Sequence, residues 1–198
     1  KILSRPFLNY TKYWDLIASQ RPDVMVAISS EVKARIKKYY KRDSVLIFPP
    51  VDTHEFKNLP KSHREKMKAV SILKNQGLKK GDYYLIVGRL EPYKKVALAV
   101  CAFNKLGYPL VVIGTGSEEE KIRSIAKKNI KVLGFIENDE LPVYYRNAKA
   151  FVYPQEEDFG ITAVEAQSAG VPVIALKKGG VLDTVIEGAT GAFLEKQS

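Results

Sequence analysis

The chain has 198 residues, 45% of them hydrophobic, and its 32 lysine and arginine residues against 22 aspartate and glutamate residues give a net charge of +10. This composition supports one full domain with a piece of a second, and the single cysteine, Cys101, excludes a disulfide framework and favours a reducing, cytoplasmic setting. The charge favours an anionic partner, such as a nucleotide phosphate or an anionic membrane surface, but no nucleic-acid-binding motif accompanies it, so we expect no nucleic-acid partner.

The first part of the chain predicts a small strand-helix-strand unit. Aromatic residues recur at near-helical spacing within residues 1–20, which predicts a partly buried amphipathic helix or, alternatively, a helix that binds a membrane surface or a partner. Residues 23–28 and 45–48 are predicted strands, and Ser29 or Ser30 is the predicted N-cap of the helix between them. This unit is too small to form a domain by itself.

A polar stretch that begins at two consecutive prolines predicts a connector over residues 49–80. Within it, residues 62–74 have helical character. His54 and His63 also lie there, without other ligand-type residues at metal-binding spacing. We therefore expect both histidines at the surface and no metal site.

From residue 81 onward, apolar segments alternate regularly with amphipathic ones. The predicted strands cover residues 83–87, 110–113, 132–135, 150–153 and 171–176, with a last strand from 192 to 194. The predicted helices cover residues 94–106, 118–128 with Ser117 as its cap, 138–147, 162–169 and 181–186. This alternation predicts an α/β fold, a Rossmann-like doubly wound parallel sheet, in which Cys101 faces the core.

The loop after the first of these strands has residues suited to a diphosphate. Gly88 allows the backbone to approach a ligand, Arg89 can donate two hydrogen bonds to phosphate oxygens, and Lys94 is a mobile point charge. Two cations here could stabilise a diphosphate whose negative charge grows as it leaves. The alternative is a surface arginine and an ordinary helical lysine.

Two further loops suggest contacts to the rest of a nucleotide. Gly114 and Gly116 precede a predicted helix and resemble a phosphate or ribose contact, although the full Gly-x-Gly-x-x-Gly fingerprint is missing. Gly134 could pass its backbone along a nucleobase, with Phe135 or Leu141 beside the ring. Packing in the core is the alternative for both apolar side chains.

The stretch from Tyr153 to Gly170 joins a predicted strand to a predicted helix through an acidic loop. Glu157 lies in the loop and Glu165 lies eight residues later in the helix. A helix start donates hydrogen bonds to phosphate, and carboxylates accept them from sugar hydroxyls. The alternative is a capping box, in which Glu165 only reaches back to the Thr162 amide. The basic, glycine-containing segment 177–180 is compatible with a simple turn.

These motifs, in this order, resemble the retaining GT-B glycosyltransferases of family four, the glycosyl transferases group 1. The resemblance rests on residues 88–90 with Lys94, on the Glu-x7-Glu spacing of Glu157 and Glu165 within Glu-Asp-Phe-Gly-Ile-Thr-Ala-Val-Glu-Ala, and on residues 169–175. It implies a GT-B donor domain.

The resemblance also implies a domain organisation. It covers residues 81–194 in the donor domain, and Pro49-Pro50-Val51-Asp52 resembles the junction between the two domains of bacterial and archaeal members. By this comparison, residues 1–48 are the tail of the N-terminal acceptor domain, residues 49–80 are the interdomain linker, and residues 81–198 are a truncated nucleotide-sugar-binding domain.

The resemblance assigns roles to individual residues. Arg89 and Lys94 would bind the donor diphosphate, and Glu157 would bind the hydroxyls of the transferred sugar, which makes these three the catalytic group. Glu165 would bind the ribose. The other implied contacts to the nucleotide sugar are Gly88, Gly114, Gly116, Gly134, Phe135, Leu141, Phe159, Gly160, Ile161 and Thr162.

Many members that this chain resembles are mannosyltransferases. The resemblance therefore implies hexose transfer with retention, from GDP-mannose to a glycan or lipid-linked acceptor in polysaccharide or glycolipid biosynthesis of the cell envelope. Retention is explained in the family by front-face attack, in which the departing phosphate takes the acceptor proton, and no metal or cofactor is implied. A UDP-sugar-dependent enzyme and a nucleotide-sugar-binding module without catalysis are the alternatives. The positive charge suggests peripheral contact with an anionic membrane on its cytoplasmic face.

Overall fold

The computed structural model describes residues 4–57 and 62–197, and the chain divides into two compact units, Lys1–Pro49 and Pro50–Ser198. The parts of the predictions that concern residues 1–3, 58–61 and 198 lie outside the described residues. The side chain of His63 also lies outside the description, so its predicted surface position stays a prediction. Within the described ranges, no helix combines the length and the apolar character that crossing a bilayer requires.

The first unit contains a two-stranded parallel sheet and two helices. Its elements are α1 (Ser4–Ala18), β1 (Val26–Ala27), α2 (Ser30–Tyr40) and β2 (Val45–Leu46). Ser29 caps α2, because its hydroxyl accepts a hydrogen bond from the amide of Val32 at 3.1 Å. The strand-helix-strand prediction and the N-cap are confirmed.

The aromatic side chains of α1 are exposed. Phe7, Tyr10, Tyr13 and Trp14 keep between 59% and 68% of their surface accessible. The predicted helix is confirmed, but its predicted partial burial is wrong for these rings. The contact of α1 with α2 lies on its other side, where Asp15 accepts a hydrogen bond at 2.8 Å from the hydroxyl of the last residue of α2.

The second unit is an α/β sandwich around one six-stranded parallel sheet. Its elements are α3 (Thr53–Lys57), α4 (His63–Asn75), β3 (Tyr84–Val87), α5 (Val96–Leu106), β4 (Leu110–Ile113), α6 (Glu119–Ile125), β5 (Ile130–Gly134), α7 (Leu141–Asn147), β6 (Ala150–Tyr153), α8 (Ile161–Ser168), β7 (Val173–Leu176) and β8 (Gly191–Leu194). The strand order is β5-β4-β3-β6-β7-β8, and every neighbouring pair is parallel. The predicted doubly wound parallel sheet is confirmed.

The sheet separates two hydrophobic cores, because successive strand residues point to opposite faces. Leu85 and Phe151 lie in the core that also receives α3, α4, α7 and α8. Ile86 and Val152 lie in the core covered by α5 and α6. Helices on both faces explain why the strands are almost continuously apolar.

The predicted connector over residues 49–80 differs from the structure. It contains α3 and α4, and both helices belong to the second unit. Phe56 is 6% exposed and packs edge-to-face on Tyr145, with ring centroids 5.2 Å apart, and Leu73 is 8% exposed. The polar composition concealed these apolar contacts. The predicted helix over residues 62–74 is confirmed, and Ser62 forms a complete capping box at its start.

Three details around α5 and α6 also differ from prediction. The predicted helix over residues 94–106 is divided, because a 3₁₀ turn at Pro92–Lys94 ends at Lys95, whose φ is 57°. Cys101 is exposed, because α5 buries the neighbouring Val100 instead. The predicted cap Ser117 lies before the start of α6 and donates its hydroxyl to a glutamate of the preceding loop at 2.6 Å.

The loops at the carboxyl ends of β3, β4 and β5 are joined through their backbones. The amide of Gly88 donates to Ile113 at 3.0 Å, and the amide of Gly114 donates to the carbonyl of Gly134 at 2.7 Å. A Cβ at Gly114, where φ is 133°, would collide with the carbonyl oxygen of Gly88. This close approach requires glycine and fixes the position of the loop that carries the predicted diphosphate ligands.

Replacing Gly114 with alanine tests this constraint. Gly114→Ala is expected to lower the free energy of unfolding by about 1–3 kcal/mol more than Gly88→Ala, because overpacking adds to the backbone strain at the first site only. Gly88 is the matched control, since its φ of 155° is also positive but its Cβ would meet open space. Urea unfolding of both variants measures the difference, and equal losses would refute the collision.

Candidate functional site

The site lies where the chain changes direction within the sheet. The chain runs from β3 to β4 and β5 and then returns to β6 on the other side of β3. The loops after β3 and β6 therefore leave neighbouring strands in opposite directions. In open parallel sheets, such a switch point opens a crevice at the carboxyl ends of the strands, where ligands bind.

Lys94 and Glu157 meet at this switch point. The ammonium of Lys94 forms an ion pair with Oε1 of Glu157, and the two side chains are only 14% and 23% exposed. Burial, followed by the nearby charge of Arg89, lowers the pKa of Lys94. The structure thus joins two residues that the sequence assigned to one catalytic group.

Arg89, the third member of that group, lies on the same loop as Lys94. Its guanidinium donates to the hydroxyl of Tyr93 at 3.2 Å. Its charge reaches Lys94 strongly enough to lower that pKa, so the two cations lie close together, with Glu91 near Arg89 and Glu157 paired to Lys94. Two neighbouring cations suit a ligand with more than one negative charge.

Tyr153 is a member of this site that the sequence did not identify. It is the last residue of β6, it is 1% exposed, and its hydroxyl donates to Oε2 of Glu157. Burial raises the pKa of Tyr153 far above its ordinary value, and a hydrogen bond with Gln155 opposes this rise. A Cβ at Gly160 would lie 2.8 Å from the tyrosine hydroxyl, so a glycine is needed there.

The start of α8 differs from a capping box. The helix begins at Ile161 after Gly160, whose φ is 99° and which provides no side-chain cap. The capping interpretation of Thr162 with Glu165 is therefore wrong. The first amides of a helix have no acceptor within it, and those of α8 lie directly after the acidic loop. Such amides can donate to a phosphate.

Glu165 instead accepts a hydrogen bond from the hydroxyl of Tyr145 at 2.8 Å. Burial raises the pKa of Glu165, the bond from Tyr145 lowers it, and the charge of Glu55 raises it again. Tyr145 is itself held by the ring of Phe56 from α3. This support comes from a segment that the sequence analysis assigned to a connector.

The remaining predicted contacts divide into exposed and packed residues. Phe135 is 67% exposed beside Gly134, whose φ is 74°, so its ring is available at the edge of the sheet. Leu141 packs partly buried against the core, and Phe159 is 6% exposed. For these two side chains, the structure favours packing.

Gly116 serves the packing of two loops. Its φ is 159°, and a Cβ there would lie 2.6 Å from backbone atoms of Leu90. The amide of Leu90 also donates to Thr115 at 2.8 Å. The glycine-rich character of this loop thus has a structural cause, whether or not a ligand also binds it.

The segment 177–180 is more than a simple turn. Its glycines begin a 3₁₀ helix, Gly179–Asp183, in place of the helix predicted over residues 181–186. The amide of Gly180 donates to the carbonyl of Glu157 at 2.8 Å, and a Cβ at Gly180 would collide with the carbonyl of Asp158. This segment therefore packs against the backbone of the acidic loop and supports it.

Among the described residues, no group of three or more His, Cys, Asp or Glu side chains could hold a metal ion.

Two relatives of this chain are glycosyltransferases by name. An uncharacterised glycosyltransferase of Methanocaldococcus jannaschii is 28% identical over 194 residues, which cover 94% of this chain and 49% of that protein. A GDP-mannose-dependent alpha-(1-6)-phosphatidylinositol monomannoside mannosyltransferase of Mycobacterium tuberculosis is 29% identical over 196 residues, which cover 89% of this chain and 49% of that protein. The chain spans about half the length of these curated relatives.

The fold is similar to that of solved glycosyltransferases. The crystal structure of Anabaena HepE in complex with UDP-glucose superposes with a TM-score of 0.79 at 18% identity, covering 92% of this chain and 53% of that one. This likeness confirms the predicted GT-B-type fold. Residues 70–198, which are more than half of the chain, match the family model described as Glycosyl transferases group 1. The chain therefore belongs to the glycosyl transferases group 1 family.

Proposed function

We propose that this chain is the donor-binding part of a retaining glycosyltransferase that takes a hexose from a nucleotide sugar. The observation that carries the proposal is the half-buried ion pair of Lys94 with Glu157 at the switch point of the sheet, with Arg89 beside it. Cations for a diphosphate and a carboxylate for sugar hydroxyls are already together there. Family membership supports the same function.

In this proposal, Arg89, Lys94 and the first amides of α8 bind the diphosphate of the donor. The acceptor hydroxyl forms a bond to the anomeric carbon while the bond to the phosphate oxygen breaks on the same face, and the departing phosphate takes the acceptor proton. Negative charge grows on the diphosphate during this step. Arg89 and Lys94 stabilise that charge, so no metal or cofactor is required.

The two carboxylates divide the remaining recognition between them. Glu157 accepts hydrogen bonds from the hydroxyls of the transferred sugar, and Glu165, oriented by Tyr145, accepts them from the ribose. The backbone of Gly134 and the exposed ring of Phe135 lie at the carboxyl end of β5, where they could flank the base.

We propose GDP-mannose as the donor, on the ground that the mycobacterial relative is named as GDP-mannose-dependent. A UDP-sugar is the second candidate, because the structural neighbour from Anabaena was solved with UDP-glucose. We also propose a glycan or lipid-linked acceptor. The net charge of +10 supports a peripheral place for the protein on the cytoplasmic face of an anionic membrane.

Removing either cation is expected to weaken donor binding. Arg89→Ala and Lys94→Ala should each reduce the affinity for GDP by about 10- to 100-fold, because each loses a charge-assisted hydrogen bond to phosphate. Isothermal titration calorimetry of this chain measures the effect, and GDP, UDP and ADP compared on the unmutated chain establish the base preference.

Lys105→Ala is the matched control for these variants. Lys105 is exposed and lies in the last turn of α5, far along the helix from the switch point, so its removal changes the net charge equally and should leave the affinity unchanged. Wild-type affinity in both Arg89→Ala and Lys94→Ala would contradict the proposed diphosphate site.

The raised pKa of Glu165 predicts a pH dependence of binding. As the pH falls from neutral into the acidic range, Glu165 takes up a proton earlier than an ordinary glutamate, and the carboxyl group loses acceptor capacity for the ribose hydroxyls. The affinity for GDP-mannose should therefore fall toward acidic pH. GDP-mannose is preferable to GDP because its diphosphate has no proton that titrates in this range.

Two variants make this pH test specific. Tyr145→Phe removes the hydrogen bond that lowers the pKa of Glu165, so the loss of affinity should begin at higher pH. Glu165→Gln should bind weakly and lose the acid-dependent part of the curve. Superimposable pH profiles for Tyr145→Phe and the unmutated chain would rule out this role of Glu165.

A further inference from the structure

The two oxygens of the Glu157 carboxylate have different partners. Oε1 pairs with the ammonium of Lys94, and Oε2 accepts the hydrogen bond from the hydroxyl of Tyr153. Lysine carries its charge on a flexible four-carbon stem, whereas the tyrosine ring is rigid and 1% exposed. One partner can therefore leave the carboxylate, and the other is fixed in the core.

Several contacts fix Tyr153 and Glu157 independently of Lys94. The ring of Tyr153 lies 6.4 Å from that of Phe151, and Gly160 leaves just enough room for its hydroxyl. The backbone of Glu157 is held separately by the amide of Gly180 at 2.8 Å.

We propose that Tyr153 is a positioning residue that keeps Glu157 in its sugar-binding orientation when Lys94 transfers from the carboxylate to the donor diphosphate. This inference rests on the proposed function. When the donor binds, Lys94 exchanges a carboxylate oxygen for a phosphate oxygen, and Oε1 of Glu157 becomes free to accept a sugar hydroxyl. The tyrosine hydroxyl holds Oε2 throughout, so the carboxylate does not rotate away.

This role differs from that of an ordinary buried tyrosine. Tyr83 is also 1% exposed, but it lies just before the start of β3, and its hydroxyl donates at 2.7 Å to the backbone carbonyl of Tyr144 in α7. The hydroxyl of Tyr83 thus satisfies a backbone carbonyl and contacts no residue assigned to the site. Tyr153 instead donates to Glu157, whose carboxylate also pairs with the predicted diphosphate ligand Lys94.

The test compares sugar-dependent with sugar-independent binding. In Tyr153→Phe, the affinity for GDP should stay within about twofold of the unmutated chain, because Arg89, Lys94 and α8 are unchanged. The advantage of GDP-mannose over GDP should fall about tenfold, the loss expected when a hydrogen bond to a charged group is removed. The same titrations with UDP and UDP-glucose cover the second donor class.

Tyr83→Phe is the matched control, because it removes one buried tyrosine hydroxyl outside the site. It should lower thermal stability but leave the advantage of the sugar nucleotide unchanged. An unchanged advantage in Tyr153→Phe, or equal changes in both variants, would overturn the positioning role. Failure of the unmutated chain to bind any of the four nucleotides would instead contradict the proposed function itself.

A double-mutant cycle on thermal unfolding tests the contact without a ligand. The combined effect of Tyr153→Phe and Glu157→Ala on the unfolding midpoint should be smaller than the sum of their separate effects, because each substitution removes the same hydrogen bond. Additive effects would show that the hydroxyl does not hold the carboxylate. This result is independent of whether the chain alone binds nucleotide.

Discussion

The ion pair between Lys94 and Glu157 links the two loops on which the candidate site depends. It exists because β3 and β6 are neighbours in the sheet, although five elements, α5, β4, α6, β5 and α7, lie between them in the chain. A half-buried pair of this kind has lost part of its hydration, so each member needs a partner at all times. A nucleotide-sugar donor can supply both partners, because its diphosphate can pair with Lys94 and its sugar hydroxyls can donate to Glu157. Donor binding can therefore replace the ion pair.

The fold followed from the sequence because its signals are local and strong. Apolar strands alternate with amphipathic helices, and glycine marks the loops at Gly88, Gly114 and Gly134. These patterns predicted the parallel sheet and identified Arg89 and Lys94 as candidate ligands. The spacing of the two glutamates added the acidic loop, although capping was an equally local explanation until the start of α8 was known.

The missed features depend on side-chain and backbone contacts that the linear pattern does not encode, and two of the three join distant segments. Nothing around Tyr153 predicts that its hydroxyl reaches Glu157, and nothing in residues 177–180 predicts that Gly180 packs on the backbone of the acidic loop. The burial of Phe56 against Tyr145 was concealed by the polar composition around it. For Gly180 and Phe56 the partner lies on a distant segment, and for Tyr153 it depends on how the loop after β6 folds back, so periodicity and turn chemistry carry no information on these contacts.

A crystal structure of this chain with GDP-mannose would show whether the donor replaces the Lys94–Glu157 ion pair. We expect the diphosphate to lie between Arg89, Lys94 and the start of α8, and Lys94 to have left Glu157 while the hydrogen bond from Tyr153 to Glu157 is retained. A nucleotide bound elsewhere on the chain, or a donor bound at the switch point with the Lys94–Glu157 pair still intact, would contradict this expectation.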